Sequence, residues 1–251
     1  MQSPQRLPSM VHGLEYLKNC NVPIDFIIDV GILTCTYPLI HCFPYLKHIL
    51  IEPVRSFHAN IESIYNSKNI NHLLIKCAAG KSNEKLILCE YGKKGGTEVT
   101  HSRIFDMEAN IPTDDLISKI VIDTKRVDTL LEMHQSECSP TKEKYEFLLK
   151  IDVDGTEEDI LDGSQGSLDK CSVIVLEIPI VKLLGRVSLL DQLGFQVVDI
   201  VDPCYYKGCL SQVDCIFVRK ELIRIHKVDP WLSSSNIDFS AWYEGRYIYA
   251  T

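Results

Sequence analysis

The segment FLLKIDVDGTEEDILDG, residues 147–163, decides the fold that we expect for this chain. It begins with an apolar run that is typical of a buried strand, and the run ends at Asp152 and Asp154. Gly155 predicts a tight turn, and the three acids 157–159 suit the first turn of a helix. The segment therefore predicts a strand, a turn and a helix. Ligands bind at the carboxyl ends of strands in open α/β sheets, although an ordinary turn with solvated acids has the same pattern.

The composition is that of a protein with a sizeable core, since 45% of its 251 residues are hydrophobic. The formal net charge of -8 does not favour a broad nucleic-acid surface. No apolar run reaches the ~18 residues of a membrane-spanning helix, and the first residues lack the apolar core of a signal peptide. The ten cysteines are scattered without a C-x-x-C pair, which is typical of reduced thiols. We therefore expect a cytoplasmic protein.

Acidic residues end several of the predicted strands. Strand-like segments alternate with helical ones, which predicts an α/β fold with a doubly wound, mainly parallel sheet. Asp29, Glu52, Asp152 and Glu177 each stand at the carboxyl end of such a strand. Because these ends share one edge of a parallel sheet, we expect the four carboxylates to line one crevice. Gly31 would let the backbone approach a ligand there.

Glu52 follows Asp29 by about twenty residues, the spacing at which an acid holds the ribose hydroxyls of a nucleoside cofactor. Nicotinamide enzymes and methyltransferases that use S-adenosylmethionine share this feature. The G-x-G-x-x-G motif is absent, and no glycine-lined helix N-terminus is present for a pyrophosphate. The sequence therefore disfavours a dinucleotide, whereas an adenosyl cofactor without phosphates needs no such cradle.

Several motifs between residues 22 and 220 resemble those of the FkbM-type methyltransferases. The family patterns are D-x-G-A-N-x-G, a strand ending in E-P, an A-x-G-like strand end, and K-I-D-x-(E/Q)-G-x-E-x-x-(V/I)-L-x-G. The matching residues are Asp29 and Gly31; Glu52 and Pro53; Ala78, Ala79 and Gly80; and Lys150, Ile151, Asp152, Gly155, Glu157, Ile160, Leu161 and Gly163. Asp154 replaces the usual Glu or Gln. Leu193-Gly194-Phe195 and Asp214 with Phe217-Val218 resemble the closing motifs of the family.

The resemblance implies a Rossmann-like methyltransferase fold, whose mainly parallel seven-stranded sheet has an antiparallel last strand. It also implies methyl transfer from S-adenosylmethionine, usually to a hydroxyl group of a sugar or other small molecule. The cofactor-binding residues that it implies are Asp29, Gly31, Cys35, Glu52, Pro53, Ala78, Ala79 and Asp152. The expected partner is a small-molecule or glycan acceptor, without a nucleic acid or a membrane span.

The candidate catalytic residues are Asp152 and Glu177. A general base must remove the proton of the acceptor hydroxyl, and Asp152 lies at the end of the central strand, where it can act as that base or anchor the acceptor. Asp152 could instead bond the backbone of its own turn. We favour a solvated or hydrogen-bonded acid cluster over a divalent metal between Asp152, Asp154 and Glu177.

The loop after the first strand departs from the family pattern. The A-N-x-G part of the motif reads Ile32-Leu33-Thr34-Cys35 here, so Cys35 stands where glycine permits a close backbone approach. Two functions from different classes therefore stay open. The chain is either an active O-methyltransferase or an inactive methyltransferase-like protein that serves as a binding or scaffold protein.

The expected domain organisation is one methyltransferase-like domain over residues 1–251. Its core is at 22–220, its helical lead at 1–21 and its aromatic tail at 221–251. The glycine-rich loop at 92–97 is predicted to be either a plain hairpin connection or a gate of the site. In finer detail, we expect a strand over 73–79, a helix that opens at Pro53, a short strand at 120–122, an irregular segment at 106–118 and a polar loop at 135–144.

Overall fold

The computed structural model describes residues 6–93, 96–138 and 145–229, with the backbone alone at 137–138. The described chain separates into two compact units. The first unit is Ile24–Cys171, and the second consists of Met1–Pro23 and Ser172–Thr251 as far as they are described. One domain over residues 1–251 stays a prediction.

The described strands and helices have the following bounds. The strands are β1 (Phe26–Val30), β2 (Lys47–Ile51), β3 (His72–Ile75), β4 (Ala78–Ala79), β5 (Glu84–Gly92), β6 (Val99–Phe105), β7 (Leu116–Lys125), β8 (Phe147–Ile151), β9 (Cys171–Pro179), β10 (Phe195–Tyr206) and β11 (Cys209–Arg219). The helices are α1 (Met10–Asn19), α2 (Tyr37–Cys42), α3 (His58–Ser67), α4 (Val127–Met133), α5 (Gln135–Cys138), α6 (Glu157–Asp162), α7 (Leu183–Gln192) and α8 (Lys220–Ile225).

The first unit contains parallel strands in the order β8-β1-β2-β3. Every residue of β1 and β8 is buried, and apart from one charged residue each they are apolar, as expected for strands covered on both faces. The chain runs from β1 to β2 on one side of β1, and β8 pairs with the other side. The strand order therefore reverses between β1 and β8, which is where open α/β sheets bind ligands.

A second sheet in the first unit has the order β4-β7-β5-β6 and was only partly expected. The prediction of one strand over 73–79 is wrong, because β3 ends at Ile75 and Ala78–Ala79 pairs with Thr124 and Lys125 of β7. The short strand at 120–122 is part of the longer β7, which begins inside the segment expected to be irregular. The sequence analysis missed β6, an edge strand whose exposed polar residues give no clear alternation.

The predicted helices are mostly present, with corrected starts. Helix α1 lies in the predicted helical lead and ends at Asn19, and helix α2 starts at Tyr37. The helix predicted from Pro53 begins only at His58, after a 3-10 turn over Arg55–Phe57, because the chain after β2 stays extended at Val54. Helix α5 occupies the first part of the segment 135–144, which was expected to be a polar loop. Residues 139–144, and residues 94–95 of the glycine-rich loop, lie outside the described residues.

The second unit contains three strands in the order β10-β11-β9, and β11 is antiparallel to both neighbours. The main sheet thus has seven strands. Four parallel strands belong to the first unit, and β9, β10 and the antiparallel last strand β11 belong to the second. This confirms the predicted fold class. Residues 230–251 of the predicted aromatic tail lie outside the described residues. None of the helices in the described part of the chain is long and apolar enough to cross a membrane.

Candidate active site

Three charged side chains meet at the carboxyl ends of β1 and β8. Asp29 on β1 and Lys150 on β8 are direct partners in the register of the two strands. The Lys150 Nζ atom lies 2.8 Å from Asp152 Oδ2 and 3.8 Å from Asp29 Oδ1. Asp29 and Lys150 are buried, whereas the side chain of Asp152 keeps 40% of its surface exposed. One ammonium group therefore lies near two carboxylates, and Asp152 is the acid of this group that is exposed to solvent.

Gly31 brings the end of β1 against the backbone of Asp152. Its φ of +78° is in the left-handed region that favours glycine. A Cβ atom at this position would overlap the carbonyl oxygen of Asp152 and would lie 2.9 Å from Val153 Cγ1. The N–H group of Asp152 also donates a hydrogen bond to the Val30 carbonyl at 3.0 Å. The close approach that the sequence analysis assigned to a ligand is therefore made by the chain itself.

Glu52 joins the end of β2 to the loop after β1. The Val54 N–H group donates to Glu52 Oε1 at 2.8 Å, and the Leu33 N–H group donates to Glu52 Oε2 at 3.2 Å. Only 4% of Glu52 is exposed. Burial raises the pKa of Glu52 from 4.5 to about 7, and the backbone N–H groups of Val54, Leu33 and Ile32 oppose that rise. Glu52 is therefore a buried acid whose charge changes near neutral pH.

The titration of Glu52 predicts a pH dependence of stability. The unfolded chain loses this proton near pH 4.5, whereas the folded chain keeps it up to about pH 7. The contribution of Glu52 to the free energy of unfolding is therefore complete below pH 4.5 and is lost as the pH rises through about 7. We expect this titration to lower the free energy of unfolding of the ligand-free protein by about 3 kcal/mol.

Chemical denaturation at a series of pH values measures this loss. Glu52→Gln should remove this pH dependence. The difference in unfolding free energy between wild type and variant should therefore change between pH 4.5 and about 7. The matched control is Glu132→Gln, which changes an exposed acid on α4 and should follow the wild type. A difference between wild type and Glu52→Gln that does not change with pH would contradict the assignment.

The loop after β1 adopts a conformation that its sequence does not favour. Leu33 stands at the Asn position of the family motif and has a φ of +58°. Asn tolerates this left-handed conformation, whereas for other L-residues the conformation costs about 1–2 kcal/mol of conformational energy. Ile32 is buried in a cluster with Leu50 and Ile61, and Cys35 packs against that cluster. Apolar packing and the hydrogen bond to Glu52 therefore hold the loop, and no positive φ requires glycine at Cys35.

Buried polar atoms without a hydrogen bond lie near this loop. Both carboxylate oxygens of Asp29 and the hydroxyl of Tyr65 are buried, and none makes a hydrogen bond within the described residues. Complete burial raises the pKa of Asp29, against the effect of the Lys150 ammonium. Burial and the Asp29 charge also raise the pKa of Tyr65, so these two groups are close. An unsatisfied buried polar atom costs about 1–3 kcal/mol, and a bound hydrogen-bond donor would relieve that cost.

The turn between β8 and α6 is stabilised by its own acid. Gly155 has a φ of +106° and open space around its Cα atom. The Gly155 N–H group donates to Glu157 Oε1 at 3.0 Å, and Glu157 is buried. At the end of α6, a Cβ atom on Gly163 would overlap the carbonyl oxygen of Gly80. Glu157 and the two glycines of the central motif therefore have structural roles.

The other predicted site residues are placed in several parts of the chain. Pro53 follows Glu52 and is half-buried. Ala78 and Ala79 are buried in β4, in the second sheet. Glu177 belongs to the second unit, where its side chain accepts a hydrogen bond from Gln212. Among the described residues, no three His, Cys, Asp or Glu side chains are grouped so that they could hold a metal ion.

Sequence analysis did not identify Lys150 and Tyr65 as site residues. A lysine inside a fully buried strand is unusual, and its position two residues before Asp152 was a signal that both side chains share a face. Tyr65 gave no signal, because an aromatic residue on an amphipathic helix is normally part of the core.

Similar folds occur among solved methyltransferase structures. An rRNA methylase from Streptococcus thermophilus is 12% identical, with 87% of this chain and 98% of that chain covered at a TM-score of 0.44. The magnesium protoporphyrin IX methyltransferase from Synechocystis PCC 6803, with bound S-adenosylmethionine, is 8% identical, with coverages of 84% and 77% and a TM-score of 0.44. The precorrin-6y C5,15-methyltransferase from Geobacter metallireducens is 12% identical, with coverages of 81% and 85% and a TM-score of 0.41. These similarities carry no argument about function.

The family of the chain is shown by its sequence. No curated protein matches it significantly. The model of the family described as "Methyltransferase FkbM domain" matches residues 25–196, which are more than half of the chain. This range includes the Asp29–Lys150–Asp152 group, Glu52 and the turn after β8. The resemblance that the motifs indicated is thereby confirmed, and the chain belongs to the FkbM methyltransferase family.

Proposed function

We propose that this protein is an S-adenosylmethionine-dependent O-methyltransferase that methylates a hydroxyl group of a sugar or another small molecule. The family assignment supports a methyltransferase with S-adenosylmethionine as the cofactor. The observation that carries the proposal is the Asp29–Lys150–Asp152 group, which stands where the strand order of the first unit reverses. The half-exposed carboxylate of Asp152 is held there by a buried ammonium.

The residues present fit the nucleoside part of the cofactor. Both oxygens of Glu52 accept backbone hydrogen bonds, and a carboxylate with about four lone-pair sites can also accept one from a ribose hydroxyl. The buried oxygens of Asp29 lack hydrogen-bond partners within the described residues, so a donor at this edge would satisfy them. Glu52 and Asp29 are therefore our candidates for holding the nucleoside, together with Gly31, Cys35, Pro53, Ala78 and Ala79.

Asp152 is our candidate for the acceptor side of the site. When bound, S-adenosylmethionine supplies an electrophilic methyl group on its sulfonium. The protein must place an acceptor oxygen in line with that methyl group and remove the proton of the hydroxyl. The Asp152 carboxylate can accept a hydrogen bond from that hydroxyl, and Lys150 fixes its orientation at 2.8 Å. Glu177 stays a second candidate, on a strand of the other unit.

Binding of S-adenosylhomocysteine tests the cofactor assignment. We expect the ligand to bind and to raise the melting temperature, because binding to the native state stabilises it by mass action. Glu52→Gln should weaken binding by about 1.5–3 kcal/mol, the value of a hydrogen bond to a charged group. Isothermal titration calorimetry on wild type and variant measures this loss.

The control for this experiment is Glu132→Gln, which should bind with wild-type affinity. No binding by the wild type at millimolar concentration would favour the second candidate function, an inactive methyltransferase-like binding or scaffold protein. The observation that favours this alternative is the burial of Glu52 beneath the Ile32-Leu33 loop. Unchanged affinity in Glu52→Gln would remove Glu52 from the cofactor site.

The cytoplasmic location and the absence of a nucleic-acid partner, which the sequence predicts, remain parts of this proposal. The net charge of -8 supports an acceptor other than a nucleic acid, because no broad basic surface is expected at that charge. A methylation assay with a panel of small hydroxyl compounds, compared with single-stranded RNA, distinguishes these acceptors.

A further inference from the structure

An acidic groove lies along the start of β5 and the end of β6. It has an open part of about 490 Å³, which Met107 and Glu108 line, and a narrower inner part. The two parts are continuous, because both are lined by Glu84, Leu86 and Asp106. We call them together the acid groove. Its open part is within the size range of small-molecule binding sites, about 300–1,000 Å³.

The buried side chain of Thr124 lines the inner part of the acid groove. Thr124 on β7 is the register partner of Glu84 on β5, and directly opposite residues of antiparallel strands project from the same face. Its side chain therefore points to the side of the sheet on which Glu84 lines the groove. Only 2% of Thr124 is exposed, and its hydroxyl makes no hydrogen bond within the described residues. A ligand with a hydrogen-bond donor would relieve the cost of this unsatisfied hydroxyl.

Negative charge exceeds positive charge in the acid groove. The two lysines that line it already have acidic partners. Lys81 Nζ lies 3.8 Å from Asp159 Oδ1, and Lys85 Nζ lies 2.9 Å from Asp123 Oδ1. The carboxylates of the groove that make no ion pair within the described residues are those of Glu84, Asp106 and Glu108. Because like charges in one groove repel each other, a bound cation would stabilise this arrangement.

The inner part of the acid groove ends beside the candidate active site. Thr156, which lines it, is the residue directly before α6 and belongs to the turn after β8. Thr156 stands four residues after Asp152, so the chain between them spans at most about 14 Å. Ala79, one of the candidate cofactor residues, also lines this part. A molecule in the groove therefore lies near the place where we expect the cofactor and the acceptor to meet.

We infer that the methyl acceptor carries an ammonium group, as an amino sugar does, and that the acid groove binds this group beside the turn after β8. The inference rests on the proposed function and names its substrate class. An ammonium group has three N–H donors, and the groove offers acceptors on Glu84, Asp106 and Thr124. Hydrogen bonds from an ammonium to a carboxylate are stronger than those between neutral groups. The same carboxylates repel the phosphates of a nucleic acid.

Binding of an amino sugar to the full chain tests this inference. The protein is labelled with ¹³C at its methionine methyl groups, and the NMR spectrum is simple because the chain has four methionines. Met107 lines the open part of the acid groove, so its resonance, assigned with Met107→Leu, reports occupancy. Glucosamine with a protonated amine and glucose are titrated at constant ionic strength. We expect a saturable shift with glucosamine and about tenfold weaker binding of glucose, the value of two exposed ion pairs.

Two variants and a matched control locate the site of binding. Glu84→Gln combined with Asp106→Asn should weaken glucosamine binding about tenfold, because both carboxylates lose their charge. Thr124→Val removes the unsatisfied hydroxyl, so it should raise the melting temperature and weaken glucosamine binding about 2–10-fold. Asp114→Asn is the control, because Asp114 is an exposed acid before β7 and does not line the acid groove. This control should bind glucosamine like the wild type.

Four outcomes would overturn the inference. The first three are the absence of a saturable shift, equal binding of glucosamine and glucose, and equal binding of glucosamine by the wild type and the double variant. S-adenosylhomocysteine is also titrated into the same samples, and the fourth outcome is its competition with glucosamine, which would make the acid groove part of the cofactor site. Cofactor binding without glucosamine binding removes only this inference. Glucosamine binding without cofactor binding removes the proposed function and, with it, the acceptor role of the groove.

Discussion

Asp152→Asn is expected to lower the rate of methyl transfer about 10²–10⁴-fold, the usual contribution of a positioned acid-base group. The substitution keeps the shape of the side chain but removes the charge that Lys150 holds at 2.8 Å. The affinity for S-adenosylhomocysteine should change much less, because Glu52 and Asp29 are the residues proposed to hold the nucleoside. Turnover, cofactor affinity and melting temperature are measured on one preparation.

The matched control for this substitution is Asp169→Asn, which changes an exposed acid and should keep wild-type turnover. A structural role for Asp152 predicts a different result. Its loss leaves the buried Lys150 ammonium with Asp29 at 3.8 Å, so stability and cofactor affinity would fall together. A stable variant with near-normal turnover would contradict the catalytic assignment, and Glu177 would become the first candidate.

Gly31→Ala is expected to lower the free energy of unfolding by about 2–5 kcal/mol. A methyl group at Gly31 overlaps the Asp152 carbonyl oxygen, and overpacking of this kind costs about 1–3 kcal/mol. The φ of +78° adds about 1–2 kcal/mol for an L-residue in the left-handed region. Urea denaturation measures the change, and cofactor binding should also weaken because the overlap displaces the Asp152 backbone.

Two other glycines separate these contributions. Gly194 has a φ of +91° with open space around it, so Gly194→Ala should show the backbone cost alone. Gly185, inside α7, has open space and no left-handed φ, so Gly185→Ala should stabilise the protein by about 0.5–1 kcal/mol. If Gly31→Ala cost no more than Gly194→Ala, the close approach of Gly31 to Asp152 would be wrong.

The strands and helices of the main sheet could be predicted because their sequence signals are local. The apolar runs of β1, β2, β8 and β9 indicate burial on both faces, and Gly155 with the acids after it indicates a turn and a helix start. The same motifs indicated the family. The second sheet was harder to predict, because β6 is an exposed edge strand, and the burial of Ala78–Ala79 depends on pairing with β7, about 45 residues later.

The sequence by itself determined which acids stand at the ends of the strands, and with them the family and the expected cofactor. Only the tertiary structure decided what those acids contact. Lys150 faces Asp29 because the register of β1 and β8 places them side by side, and this register depends on packing between segments more than 100 residues apart. Glu52 became a buried acceptor of two backbone N–H groups for the same reason, since one of them belongs to the loop after another strand. Local patterns record burial and turns, whereas charge pairing and close backbone approach depend on which distant segments pack together.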